Sequence, residues 1–425
     1  METQDTTQQL RLSAERGVAA AQYTLGLMHI SGHGVAKDTR LAMDWLEKAA
    51  QQGHADAQFH LGVRYAAGHG VEQDNEKAFA WYLRAAEQGY AKAQFNLGVL
   101  LHGRKDGTSE ERLEALSWYE KAAQQGHAGA QNNIGLMYAS GTDVRRDYRK
   151  AMQWFAKAAN QGDAAGQSNL GMIYSSGKGV PQNHVQAAFW YAKSAQQGYA
   201  AAQYSLGNLY ETGNGVEQDF PTAVSWYRKA GEQGHLKAQV RLAQLLSEGR
   251  HVPKDMGEAV LWYRKAAEQG HAESQFALAV LYDEGESVER DTQEAFRLYQ
   301  LAAEGDIPEA QFRLALCYDS GRNTDQSFWQ ALFWYEKAAK SGMARAQLNL
   351  GLMQAFGQGG PVDLHGAHLW LAAAEHAGLE KAAAYRLLVE AQLPPDELAD
   401  ARTAFDRYLH KRNNAPAAGS GDLSR

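Results

Sequence analysis

The sequence predicts an all-α fold, a right-handed α/α superhelical solenoid of about ten helix-pair repeats. One observation is a glutamine that recurs every 36 residues, with a single step of 37, at Gln22, Gln58, Gln94, Gln131, Gln167, Gln203, Gln239, Gln275, Gln311 and Gln347. Another is an alanine ladder in the same phase, running from Ala42 to Ala367. A tryptophan follows this alanine by three residues in nine of the ten repeats. Ladders that stay in phase along the chain indicate stacked tandem repeats rather than separate globular domains.

Each repeat is predicted to contain two helices. In the second repeat, Ala57, Leu61 and Tyr65 are spaced four residues apart, so they lie on one face of a first helix. Asp74 is the expected N-cap of the second helix, and nine of the ten repeats have Asp, Asn or Ser there. A histidine follows the repeat-ending glycine four times, and we expect it to serve the entry into the next helix: His54, His127, His235 and His271.

A small residue is required in the middle of every first helix. The position four residues after the marker glutamine is Gly in seven repeats and Ala in three. Glycine inside a helix costs about 1 kcal/mol relative to alanine, so a close neighbour is expected there. We predict that a partner helix, the one that carries the tryptophan, lies directly against the backbone at this position, and that the tryptophan ladder belongs to the core.

The repeat register divides the chain into four parts. An N-terminal half-repeat cap is expected at 1–17, and capping helices at 379–412 precede a tail at 413–425 that is expected to be disordered. Between them, residues 18–378 form the repeats 18–53, 54–89, 90–126, 127–162, 163–198, 199–234, 235–270, 271–306, 307–342 and 343–378.

Composition and charge disfavour several classes of protein. The formal net charge is −7 and long runs of Lys or Arg are absent, which argues against nucleic acid as the partner. No apolar stretch approaches the ~18 residues of a transmembrane helix, so membrane insertion is not expected. The polar start METQDTTQQLRLSAERG is unlike a signal peptide. A cytoplasmic location is therefore expected for the chain as written, and a periplasmic or secreted one if an export signal was removed.

No complete catalytic or metal-binding motif is found in the sequence. The segment SSGKGV around Lys178 lacks the spacing of a P-loop. His365 and His368 lie three residues apart on one helix, and His376 falls near the same side. Because His376 is further along the helix, a third close ligand is not evident. The single cysteine, Cys317, lies at an apolar position and is expected to be a small buried hydrophobe. We therefore expect no catalytic residue, no cofactor and no obligate metal.

The repeat pattern resembles the Sel1-like repeat family, relatives of the tetratricopeptide repeats. Repeat two shows the pattern nearly complete in AQFHLGVRYAAGHGVEQDNEKAFAWYLRAAEQG, whereas repeats three, seven, eight and nine lose the G-x-G-V turn. The resemblance implies a TPR-like right-handed superhelix and a role as a bacterial adaptor or scaffold in protein complexes. It also implies that the first helices line a concave groove. Some members are immunity proteins paired with secreted toxins.

A candidate partner-binding stripe follows from the repeat register. Counted from the marker glutamine, positions five and six residues later are mostly apolar, as at Leu136 and Met172, so only the positions two before and two after stay polar. These two positions are four residues apart and share one stripe. It contains His60, Lys92, Asn96, Asn133, Asn169, Lys237, Arg241, Arg313, Arg345 and Asn349. The asparagine amides could bind an extended peptide, or the stripe could be an ordinary solvated surface.

The sequence thus favours a non-catalytic protein–protein interaction scaffold that holds a protein or peptide partner in its groove. One alternative is an immunity protein that neutralises a cognate secreted bacterial toxin. A second alternative, from a different class, is an enzyme or small-ligand-binding protein, for which no motif was found.

Overall fold

The computed structural model describes residues 2–414, so residues 415–425 of the expected tail lie outside the described residues. Within residues 2–414 the chain forms 23 α-helices and no β-strand, which confirms the all-α fold class. The chain forms two compact units, Met1–Lys229 and Ala230–Arg425. Each unit is described by itself below.

The first unit begins with one unpaired helix and continues with helix pairs. Its helices are α1 Glu2–Glu15, α2 Ala19–Ser31, α3 Thr39–Gln51, α4 Ala55–Ala67, α5 Asn75–Glu87, α6 Ala91–His102, α7 Ser109–Gln124, α8 Ala128–Ser140, α9 Tyr148–Asn160, α10 Ala164–Ser176, α11 His184–Gln196 and α12 Ala200–Thr212. Helix α13, Phe220–Glu232, contains the division between the units. From α3 to α11, each second helix packs on its own first helix and on the first helix of the next repeat, as α5 packs on α4 and α6.

The second unit repeats this arrangement and ends differently. Its helices are α14 Leu236–Glu248, α15 Met256–Glu268, α16 Ala272–Glu284, α17 Thr292–Glu304, α18 Pro308–Ser320, α19 Phe328–Lys340, α20 Ala344–Phe356, α21 Leu364–His376, α22 Lys381–Glu390 and α23 Pro395–Asn414. Helix α22 packs on α21 in the position of a further first helix. The last helix, α23, also packs on α21.

Helix ends follow the residues expected to cap them. The Asp74 carboxylate accepts hydrogen bonds from the backbone N–H groups of Glu76 and Lys77, and Gly68 ends α4 in the left-handed conformation, with φ 68°. Repeat three, which has the extra residue, uses a capping box between Thr108 and Glu111 instead. The four expected entry histidines are N-caps of first helices, where the ring Nδ1 accepts a backbone N–H three residues later: His54, His127, His235 and His271. Both expectations are confirmed.

The marker glutamine ties each repeat to the element before it. Its Nε2 donates to the backbone carbonyl eight residues earlier, in the last turn of the preceding second helix, in all ten repeats. In the second repeat, Gln58 donates to Ala50 O at 3.0 Å, and Gln88 Nε2 donates to Gln58 Oε1 at 2.7 Å. The glutamine ladder therefore satisfies buried carbonyls between neighbouring repeats.

The glycine in the middle of a first helix allows a side chain of the second helix to lie against the backbone. A Cβ built at Gly98 would lie 2.6 Å from Cε1 of Tyr119, the residue after Trp118. The same relation holds between Gly62 and Tyr82. The second helix, which carries the tryptophan, is the close neighbour as predicted, and the side chain that meets the glycine is the tyrosine after the tryptophan. One residue corresponds to about 100° around a helix, so the tyrosine points at the glycine and the tryptophan points elsewhere.

The nine tryptophans of the ladder are half-buried or buried, and eight of them carry a cation on the ring face. The ninth, Trp370, has alanine at the position of the cation. Lys121 Nζ lies 3.7 Å from the Trp118 ring centroid, and Lys157 Nζ lies 3.9 Å from that of Trp154. In repeat eight, where the tryptophan is replaced by Leu298, the lysine position is also a leucine. Each lysine therefore covers its tryptophan from solvent through a cation–π contact.

Candidate functional site

The predicted stripe residues lie on first helices, as their spacing requires. In the first unit, His60 on α4 is half-buried, Lys92 on α6 is exposed, and the three asparagines of α6, α8 and α10 are half-buried: Asn96, Asn133 and Asn169. In the second unit, Lys237 and Arg241 on α14 and Asn349 on α20 are half-buried, whereas Arg313 on α18 and Arg345 on α20 are exposed. The stripe is thus a partly exposed surface within each unit.

The asparagine ladder is engaged inside the protein. Asn133 hydrogen-bonds with the hydroxyl of Tyr119, whose pKa burial raises to about 12 although this hydrogen bond lowers it. Asn96 stands in the same relation to Tyr82. At Asn169 the preceding repeat has a phenylalanine, and the Asn169 amide donates to Asn132 Oδ1 at 2.8 Å instead. These amides therefore have structural partners, which reduces their capacity to bind a peptide backbone.

His60 packs into an aromatic group at the start of the same face. Its ring lies 5.7 Å from the ring of Tyr23, which itself stacks on His54 at 4.7 Å. Burial lowers the pKa of His60, and the nearby cations Arg64 and Lys92 lower it further against the opposing effect of Asp56. The neutral imidazole is consequently the favoured form near pH 7.

An exposed apolar stripe borders the asparagines, and the sequence analysis did not recognise it. Val99, Leu136 and Met172 occupy the position five residues after the marker glutamine on α6, α8 and α10, and each is 42% exposed. This position follows the polar one by three residues, so both lie on the same side of the helix. That spacing was the signal available in the sequence. We call the positions two and five residues after the marker glutamine, taken along consecutive first helices, the first-helix face.

A cleft opens on this face beside α8. Its volume is about 420 Å³, and Leu136, Asn133 and Tyr119 line it together with an ion pair at its edge. That ion pair joins Arg112 Nε to Asp143 Oδ1 at 2.8 Å, and the carboxylate is nearly inaccessible to solvent. The cleft combines an apolar side chain with a rim of fixed polar groups, which is the composition of many binding surfaces.

The second unit carries a more basic first-helix face. A cleft of about 610 Å³ between α18 and α20 is lined by the two exposed arginines Arg313 and Arg345, together with Phe276, Glu309, Phe312, Leu316, Met343 and Ala344. Among residues 2–414, neither arginine makes an ion pair or a hydrogen bond. Asn349 hydrogen-bonds with Tyr335, in the same way as the asparagines of the first unit.

The cysteine and the histidines that were weighed as reactive or metal-binding groups are buried or in contact with other side chains of the protein. Cys317 is buried, and burial raises the pKa of its thiol, which keeps it protonated near pH 7. His368 is buried and bonds to Glu390 at 3.0 Å, while His376 packs edge-on against Phe405. No cluster of three or more metal-ligating His, Cys, Asp or Glu side chains occurs among the described residues. Over residues 2–414, no helix combines the length and apolar character needed to cross a membrane.

The repeats of this chain match the model of a known repeat family. The Sel1 repeat model matches ten consecutive segments of the chain, at residues 19–54, 55–90, 91–127, 128–163, 164–199, 200–235, 236–271, 272–306, 308–343 and 344–379. A fold of stacked helix pairs with an exposed first-helix face defines an α-solenoid repeat protein. The chain belongs to the Sel1 repeat family.

Several solved structures are similar to the chain. A protective antigen of uropathogenic Escherichia coli strains with an SLR fold shares 34% identity, covers 95% of this chain and 94% of its own, and has a TM-score of 0.58. A Sel1 repeat protein from Oxalobacter formigenes shares 34% identity over 72% of this chain and 88% of its own, with a TM-score of 0.51. An immunity protein from Pseudomonas aeruginosa shares 24% identity over 50% and 81%, with a TM-score of 0.35. A search of curated proteins finds no significant match.

Sel1 repeat proteins generally serve as scaffolds for protein interactions. Neither the family nor the two structures with the higher TM-scores identifies a partner for this chain. The residues of the first-helix face are therefore the evidence for where a partner would bind.

Proposed function

We propose that the chain is a non-catalytic scaffold that binds a protein partner along the first-helix face. The observation that carries this proposal is the exposed apolar stripe of Val99, Leu136 and Met172. These three large apolar side chains occupy the same position of consecutive first helices, and exposed apolar patches on soluble proteins mark interaction sites.

The surroundings of the stripe support a protein partner over a small molecule. The polar groups around the cleft beside Leu136 are held by contacts within the protein, such as the Arg112–Asp143 ion pair. An apolar centre with a polar rim is typical of protein interfaces. Rigid side chains that are already in place lower the entropic cost of binding.

The experiment compares partner capture by matched variants of the full chain. Leu136→Arg and Met172→Arg place a charge on the stripe, and Leu113→Arg makes the same change at an apolar residue of the second helix α7, 45% exposed. Proteins retained from lysate of the source cell are quantified by mass spectrometry. We expect one protein to be lost with Leu136→Arg and Met172→Arg and kept with Leu113→Arg. Equal retention by all three variants would contradict the proposal.

A further inference from the structure

The cleft between α18 and α20 in the second unit presents two cations that form no ion pair among residues 2–414. Arg313 lies on α18 and Arg345 on α20, and both line the cleft with exposed side chains. Arg322, another arginine near this face, is paired with Asp283 instead. Among residues 2–414, the guanidinium groups of Arg313 and Arg345 have no such partner. A guanidinium offers two parallel N–H donors that match a carboxylate.

Apolar side chains form the rest of the cleft. Phe312, Leu316 and Met343 line it between the two arginines, and all three are half-buried. An apolar side chain of a bound segment can be covered there, at about 25 cal/mol per Å² of apolar area removed from water. The cleft is therefore suited to a segment that has an acidic and an apolar side chain close together.

The distribution of carboxylates distinguishes between classes of ligand. Glu309 also lines the cleft, and Asp319 lines the adjoining cleft that shares Arg313 and Leu316. Asp319 accepts a hydrogen bond from the Tyr335 hydroxyl at 3.3 Å. These fixed negative charges disfavour a polyanion such as single-stranded nucleic acid, whereas a segment with one or two carboxylates can avoid them.

We propose that this cleft binds an extended segment of the partner protein in which an Asp or Glu side chain neighbours a large apolar side chain. The carboxylate pairs with Arg313 and Arg345, and the apolar side chain packs on Phe312, Leu316 and Met343. This inference rests on the proposed scaffold function and deepens it by specifying the chemistry of the bound segment.

The test selects ligands from displayed random peptides of about eight residues, which span at most ~28 Å when extended. The full chain is the bait, and the variants are Arg313→Glu, Arg345→Glu and the double reversal. Arg407→Glu on α23 is the matched control, since Arg407 is exposed and does not line the cleft. We expect selected peptides rich in Asp and Glu beside Leu, Ile or Phe. Each reversal should weaken their binding about tenfold or more, and Arg407→Glu should leave it unchanged.

A charge swap separates loss of the site from loss of the fold. Peptides with Lys in place of Asp or Glu should bind the double-reversal chain better than the unaltered chain. Glu309→Gln should tighten acidic peptides a few-fold, because it removes a like charge. Selected peptides without acidic enrichment, no selected peptides, a preference for an oligonucleotide, or unchanged binding by the double reversal would each overturn the proposal. Such a result leaves the scaffold function standing if Leu136→Arg and Met172→Arg abolish partner capture while Leu113→Arg does not.

Discussion

The side-chain amide of Gln58 donates a hydrogen bond of 3.0 Å to the carbonyl oxygen of Ala50, across the boundary between the first and second repeats. Gln58 is buried, and Ala50 lies in the last turn of the preceding second helix. Helix ends leave carbonyls without helical partners, and this amide satisfies one of them. Because every repeat makes the equivalent bond, the glutamine ladder couples the stability of neighbouring repeats.

Replacing this glutamine should weaken the boundary between repeats. Gln58→Leu removes one donor from the Ala50 carbonyl, which keeps its bond from Gly53 N, and it also removes the acceptor of Gln88 Nε2. We expect a loss of about 1–3 kcal/mol in the free energy of unfolding. Gln51→Leu is the control, because Gln51 is exposed at the end of α3. Urea denaturation followed by circular dichroism measures both. Equal stability of the two variants would show that the ladder contributes no net free energy.

The contact between Gly98 and Tyr119 should behave as a coupled pair. Gly98→Ala introduces a Cβ that would lie 2.6 Å from Tyr119 Cε1. We expect a destabilisation of about 1–3 kcal/mol from this overpacking. Tyr119→Leu reproduces the pairing of glycine with leucine at Gly351 and Leu371. A double-mutant cycle should therefore show that Gly98→Ala costs less in the Tyr119→Leu background. Strictly additive effects would contradict the packing described for this position.

The histidine N-caps should make stability depend on pH. Each ring accepts a backbone N–H through Nδ1. Burial lowers the pKa of His127 and of His235 below 6.5, and Lys92 and Lys237 respectively lower it further. The unfolded chain then binds more protons than the folded chain as the pH falls below 6.5. The stabilisation is fully present above pH 6.5 and is lost as the pH falls through the folded pKa.

An aspartate provides the control for this pH dependence, because Asp163 caps the equivalent helix of repeat five with Oδ1 accepting from Gly166 N at 2.6 Å. The double variant His127→Asp, His235→Asp keeps an acceptor at both positions. We expect its unfolding free energy to fall less than that of the unaltered chain between about pH 7 and pH 5. Parallel pH profiles would contradict the assigned role of the imidazoles.

The carboxylate of Glu390 should hold the C-terminal helices together. Burial would raise its pKa, but hydrogen bonds from Arg402, His368 and Arg386 outweigh burial and lower the pKa to about 2. The stabilisation is present above about pH 4.5 and is lost as the pH falls through about 2. Glu390→Ala should therefore increase hydrogen exchange in α22 and α23 by tenfold or more near pH 7. Glu397→Ala, at a half-exposed carboxylate, should leave this exchange unchanged.

Much of the fold could be predicted from the sequence because the repeat gives many copies of the same information. The helix pairs, the caps at residues such as Asp74 and the entry histidines all follow from spacing and local hydrogen-bonding chemistry. The close approach of the second helix at Gly98 was also predicted, but the side chain that makes it was not. Trp118 and Tyr119 are adjacent, and periodicity shows that the helix packs closely without showing which side chain meets the glycine.

The candidate site was less predictable, because surface and core residues share the same helical spacing. The position of Leu136 is apolar in most repeats, so it was left out of the predicted polar stripe, although its side chain is substantially exposed. Asn133 has an amide side chain, which could bind a peptide backbone. Its hydrogen bond with Tyr119 became evident only from the structure. The exposed arginines Arg313 and Arg345 were placed on the stripe by the register, and whether a partner binds there stays a prediction.

The central claim is that the first-helix face contacts the partner, and site-specific photo-crosslinking in the source cell tests it most directly. A photoreactive phenylalanine analogue replaces Leu136 or Met172 on the face, or Leu113 on the second helix α7 as the control. We predict an adduct of one discrete mass at positions 136 and 172 and none at 113. Adducts absent from both face positions, or equally abundant at position 113, would contradict the account.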